Sequence, residues 1–160
     1  MSEKEYNQCV DKYCGMLFKY FVKNISDAES SHDLTQDTFY SLWIKHREVE
    51  ISKAKAFLFI TAHNRMVNHI NYTKKQNKLK LYINKTEPAF EENRFENTDL
   101  INRLVETLST AGKEALVLRD VQGFSYKDIS QIMQISEQNV KVIVFRARTA
   151  LKKLLDGGKL

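Results

Sequence analysis

Apolar residues recur along this chain at spacings of three and four, the period of one face of an α-helix. Tyr6, Val10, Tyr13, Leu17 and Phe21 form the first stripe and predict a helix over 3–24. "ISDAES" breaks it, and Ser26 with Glu29 fits a capping box opening a second helix over 27–47. Leu34, Thr38, Phe39, Leu42 and Trp43 lie on or near one face of that helix. After a short loop, "REVEISK", a third helix is predicted over 53–72, striped by Phe57, Ile60, Asn64, Val67 and Ile70. There the pattern stops. Residues 73–98 are polar, mixed in charge and hold the only proline, Pro88, which predicts a linker with a basic first half.

Periodicity returns near Leu100. "DLINRLVETL" predicts a fourth helix, and "STAGKEALVLRDVQG" a fifth, capped by Ser109 and stopped by Gly123. "SYKDISQIMQ" predicts a sixth, opened by Ser125, and "ISEQNVKVIVFRARTALKKLL" a seventh, opened by Ser136. The expected fold is all-α: two small helical domains, 1–72 and 99–160, joined by a flexible linker over 73–98, with no internal repeat. Composition agrees. The chain is 42% hydrophobic, enough for a core, and its 5 glycines and 1 proline are too few for the turns of an all-β fold.

The last two helices are short, then long, with about three residues between them. Ile129, Ile132, Ile135, Val140 and Val144 can pack in their angle. That is the arrangement of a helix-turn-helix, whose second helix enters the major groove of DNA. An ordinary αα-corner has the same spacing. The outer face of the last helix favours the DNA-binding reading, because Lys141, Arg146, Lys152 and Lys153 lie on or towards it with no acidic residue between. Phosphate neutralisation by such a face supplies most non-specific affinity for DNA. Val142, Phe145 and Thr149 also point away from the apolar seam, with Gln138 beside them, and suit thymine methyl groups. Packing against another domain is the competing use of these groups.

Charge and chemistry narrow the classes. The net charge of +5 gathers after residue 72: nine basic and nine acidic residues precede that point, sixteen and eleven follow it. A basic end suggests an anionic partner. Asp33 and Asp37, at i and i+4 with Gln36 and Tyr40 beside them, have His32 next to them in sequence but no Cys or glycine-rich loop. A basic protein partner therefore suits this face better than catalysis. The third helix mixes aromatics (Phe57, Phe59), amides and a cation (Asn64, Arg65, Asn68) and lysines (Lys74, Lys75), a composition that binds single strands. On the stripe, Phe57 reads more simply as core. Cys9 and Cys14 are poorly placed to bridge and read as thiols of a reducing compartment. No metal, cofactor or enzymatic site is expected. There is no signal-peptide pattern at the N-terminus and no apolar run near the roughly 20 residues that span a bilayer, so the expected location is the cytoplasm.

In order, these motifs resemble the extracytoplasmic-function (ECF) sigma factors of bacterial RNA polymerase. The acidic helix of that family is met by Asp33, Leu34, Gln36, Asp37, Phe39 and Trp43, and its next motif by Ala56, Phe57, Leu58, Ala62 and Asn64. Gly123, Ser125, Tyr126, Asp128 and Ile129 match a third, and Val140, Lys141, Arg146, Ala147 and Arg148 a fourth. The chain departs from the pattern at Gln134, where glycine is common, at Val142-Ile143, where Ser-Arg is common, and at Phe59 and His63, which replace a frequent Tyr and Arg. At Gln134, where a positive φ costs about 1 kcal/mol, a different turn is expected.

The resemblance implies a transcription initiation factor. Asp33, Gln36, Asp37 and Tyr40 would bind core RNA polymerase. Lys53, Lys55, Asn64, Arg65 and Asn68 would take the promoter −10 element and assist melting. Tyr126, Gln138, Lys141, Val142, Phe145, Arg146 and Arg148 would read the −35 element as duplex. It also implies an anti-sigma factor as partner, membrane-bound in many members. The alternative is a stand-alone helix-turn-helix regulator that binds duplex DNA as a dimer.

Overall fold

In the computed structural model, residues 1–84 and 108–157 are described. Helix α1, Glu3–Ile25, opens on a capping box: the Ser2 hydroxyl accepts from the Glu5 N–H, and the Glu5 carboxylate accepts from the Ser2 N–H. It ends at Ser26, which is left-handed at φ 55. The expected Ser26–Glu29 box is not formed, because Ser26 closes one helix while Asp27 opens the next. The Asp27 carboxylate accepts from the N–H groups of Glu29 and Ser30 and from the Ser30 hydroxyl. These bonds, led by the Ser30 hydroxyl, hold its carboxyl below the ordinary aspartate range.

Helix α2, Ala28–Lys45, buries Ser31, Thr35, Thr38, Phe39 and Leu42. Three of these five carry a hydroxyl, and the face packs because each hydroxyl is satisfied locally: Ser31, Thr35 and Thr38 donate to the carbonyls of Asp27, Ser31 and Leu34. A 3₁₀ turn, Ile51–Lys53, leads into α3, Ala54–Asn84. The buried stripe of α3 is Ala54, Leu58, Phe59, Ala62 and Met66, one step round the wheel from the expected one; Phe57 and Ile60 are half-buried and Asn64 is exposed.

At 31 residues, α3 is about 46 Å long. It outruns the expected boundary at Tyr72, so the first part of the expected linker is helix. Lysines, Gln76 and Leu79 favour helix intrinsically, but this end buries nothing and shows no stripe. The predicted helix over 99–108 and the rest of the linker lie largely outside the described residues.

Helix α4, Thr110–Leu116, is capped by Ser109, whose hydroxyl accepts from the Gly112 N–H. It runs into one π turn, Val117–Val121, and stops at Gly123, φ +76. Helix α5, Tyr126–Met133, is capped by Ser125, and α6, Glu137–Gly157, by Ser136. Between them Gln134 stands at φ 58, so the left-handed turn is kept without glycine. Ile129, Ile132, Met133, Val140, Val144 and Ala147 close the α5–α6 corner.

The described elements form an all-α fold of two bodies, α1–α3 and α4–α6. They are packed on one another. Tyr20, Phe59 and Phe124 make an aromatic chain across the join, with ring centroids 5.8 Å and 4.8 Å apart. The Gln122 amide donates to the Met16 carbonyl at 3.2 Å.

Candidate nucleic-acid interface

Three groups of surface residues come from the three elements named by the sequence. On α2, Asp33, Gln36, Asp37 and Tyr40 are all exposed, Tyr40 by 62%. Trp43 anchors this face: its ring stacks on His46 at 4.4 Å and meets the edge of Tyr6 at 4.9 Å. Ile44, one turn beyond Tyr40 and exposed by 63%, extends the face with an apolar group that sequence reading did not select.

The −10 candidates of α3 are not gathered on one open surface. Lys53 is exposed and lies 3.9 Å from Glu50. Arg65 turns towards α2, where its guanidinium donates to the Ser41 hydroxyl at 2.7 Å and lies 3.8 Å from Asp37. Lys55 sits over the Phe124 ring, 4.6 Å from its centroid. The Asn64 carbonyl accepts from the Gln134 amide at 3.1 Å. Asn68 is exposed. Phe59, a candidate for base stacking by composition, is fully buried.

The outer face of α6 is as the wheel placed it. Gln138, Lys141, Val142, Phe145, Arg146 and Arg148 are exposed, Phe145 by 70%. Tyr126, at the start of α5, is half-buried under a cationic group: the Arg119 guanidinium lies 4.3 Å from its ring centroid and the Lys141 ammonium 5.8 Å. Arg119 was not selected from sequence, because it stands before the corner rather than on the last helix. Arg148 is tied to Asp120 by two charge-assisted hydrogen bonds, at 2.5 and 3.2 Å, which hold its guanidinium firmly protonated.

A basic, partly apolar helix face beyond a closed helix-turn-helix, behind an acidic helix and an amide-bearing one, is the order in which family comparison places the chain. The model of Sigma-70 region 2 matches residues 6–76, and that of Sigma-70 region 4 matches residues 98–151. The chain belongs to the sigma-70 family. Sigma factors are transcription initiation factors, and this one directs RNA polymerase.

It is similar to the ECF RNA polymerase sigma factor SigM of Bacillus subtilis, at 29% identity over 91% of this chain and 92% of that one. RNA polymerase sigma factor SigZ of the same organism is 28% identical over 92% and 85%. Its fold is that of the sigma factor RpoE of Bartonella quintana, solved in complex with the anti-sigma factor NepR, with a TM-score of 0.72 at 24% identity over 96% of this chain and 98% of that one. CnrH, solved with the cytosolic domain of CnrY, gives a TM-score of 0.69 at 21% identity over 98% and 90%. A region 2 module in front of the helix-turn-helix is not a feature of a stand-alone dimeric regulator, and that alternative is not favoured. Among the described residues no helix is long and apolar enough to cross a membrane, and no cluster of side chains has the make-up of a metal site.

Proposed function

We propose that this sigma factor docks on core RNA polymerase through the exposed face of α2, takes the −10 element with α3 and reads the −35 element with α6. The observation that carries the assignment is the outward face of α6. Phe145 and Val142 are apolar groups held in solvent on the second helix of a helix-turn-helix, flanked by Lys141 and Arg146. A surface designed only for solubility has no use for them, whereas a major groove offers methyl groups beside phosphates. On α2, exposed carboxylates beside Tyr40 and Ile44 support a basic and partly apolar protein surface as partner. It acts as a factor rather than an enzyme, in the cytoplasm where its polymerase is. That two structures of the same fold are complexes with an anti-sigma factor, or with the cytosolic domain of a second protein, supports a similar inhibitor for this chain.

Charge reversal tests the docking face. Asp33→Lys with Asp37→Lys is expected to abolish co-purification with core polymerase while the helical circular dichroism is unchanged, since both side chains are exposed. Undiminished co-purification would reassign the α2 face.

A further inference from the structure

Arg65 sits between the amides of α3 in sequence, but its charged end leaves their face. At about 100° per residue Asn64 and Asn68 lie about 40° apart on the helix, and Arg65 stands about 60° beyond Asn68. Both amides are exposed. Arg65 lies against α2, with 34% of its side chain in solvent. One terminal nitrogen of its guanidinium donates to the Ser41 hydroxyl at 2.7 Å, and the other lies 3.8 Å from the Asp37 carboxylate. The Ser41 hydroxyl in turn donates to the Asp37 carbonyl at 3.1 Å. Ser41 and Asp37 are one turn apart, so the planar fork spans a turn of α2. Its Nε is sealed from solvent, which closes the root of the fork to an incoming strand.

The pair with Asp37 is no large source of stability. The Asp37 side chain is 58% exposed, and exposed ion pairs gain little once solvent screens them. What a fixed cation supplies is direction. An exposed aspartate on a helix turns between staggered rotamers, and a guanidinium anchored on Ser41 draws the Asp37 carboxylate towards one of them. Lysine does this less well, because its ammonium is a single point on a flexible stem, whereas arginine presents separate donors in one plane. The direction matters because of where Asp37 stands. Asp33, Asp37, Tyr40 and Ile44 fall within an arc of about 60° on α2, and Ser41 lies just beyond Asp37 on the side of α3. Arg65 thus stands at the rim of the docking stripe.

We infer that Arg65 is a positioning residue of the polymerase-docking face and not a contact of the −10 element: anchored by Ser41, it holds the Asp37 carboxylate in the direction in which a basic polymerase surface meets it. The inference rests on α2 being the docking face. A carboxylate set in advance loses less side-chain freedom on docking, so the gain appears as affinity for core polymerase. Arg65 carries no promoter information, so polymerase already loaded with the chain uses its promoters equally well without it.

The test uses the full chain, core polymerase of the source organism and two readouts. Affinity for core polymerase is read by fluorescence anisotropy of the labelled chain. Promoter use is read as transcript yield from fragmented genomic DNA with the chain in saturating excess over core enzyme. Arg65→Ala is expected to weaken core affinity about two- to fivefold, the range of an exposed pair, with helical dichroism and saturated yield unchanged. Arg65→Lys keeps the charge without the fork and should recover part of the loss. In an Asp37→Asn background, Arg65→Ala should cost nothing further, because its effect passes through that carboxylate. Additive losses would show Arg65 acting only by packing α2 on α3 and would overturn the inference. So would unchanged or tighter binding by Arg65→Ala where Asp37→Asn alone binds more weakly, which leaves the docking face standing. A saturated yield that falls with Arg65→Ala would return the residue to the −10 element and overturn the inference as well. If Asp37→Asn binds core polymerase as the wild type does, the docking face is wrong and the inference falls with it.

Discussion

Single residues on α6 can separate the two kinds of DNA contact proposed for it. Lys141 is an exposed cation, and Lys141→Ala is expected to weaken binding to all sequences and lower the salt slope by about one unit. For Phe145, the apolar reader proposed above, Phe145→Ala should relax preference at one position of the −35 duplex while leaving the slope alone. Because Phe145 is exposed by 70%, its removal should change stability by no more than about 0.5 kcal/mol. Titration of the full chain on duplex variants across a salt series reads both. Arg148 is less clean, since its loss also frees Asp120. Tyr20 gives a pH signature. Burial, then the neighbouring Glu114 carboxylate, push its hydroxyl well above the usual tyrosine value of about 10. The folded state holds the neutral phenol, so its contribution is complete below a pH of about 10 and is lost as pH rises beyond it. In an alkaline titration followed by phenolate absorbance, Tyr20 should ionise last of the seven tyrosines, together with loss of structure. Tyr20→Phe should remove that last phase.

At the scale of elements, legibility followed burial. The α6 seam of Val140, Val144 and Ala147 was plain in sequence because a helix with one dry face writes a 3.6-residue period in apolar residues. The outer face followed from the seam, and the order of motifs carried the assignment of α2. The inner face of α2 was harder to see, since Ser31, Thr35 and Thr38 are polar letters whose hydroxyls are spent on their own helix. The C-terminal end of α3 reads as linker in the sequence because a solvated helix writes no stripe. Glu114 had no signal at all: its partners are 94 and 51 residues away in sequence. The α5–α6 turn shows a local cost retained. Gln134 is left-handed, which disfavours a side chain by about 1 kcal/mol. Gln134→Gly is expected to stabilise the C-terminal domain by about that amount, seen as a higher thermal midpoint. It also deletes the bond to Asn64 across the join between the domains.

For the whole molecule, the two domains pack on one another through an aromatic join of Tyr20, Phe59 and Phe124. The positions where this chain departs from the family pattern in α3, Phe59 and His63, are the ones that meet Phe124 and Glu114 across the join. The departures that sequence reading could only record thus have a physical use, in the fit between domains. The central claim is that the chain gives core polymerase a choice of start sites. The direct measurement maps transcript 5′ ends from fragmented genomic DNA of the source organism, with core enzyme alone and with the chain added. The expected result is a discrete set of new start sites sharing one pair of −35 and −10 sequences, lost with Asp33→Lys and Asp37→Lys. Transcripts unchanged by addition of the chain, or new ones without a common upstream pair, would contradict it.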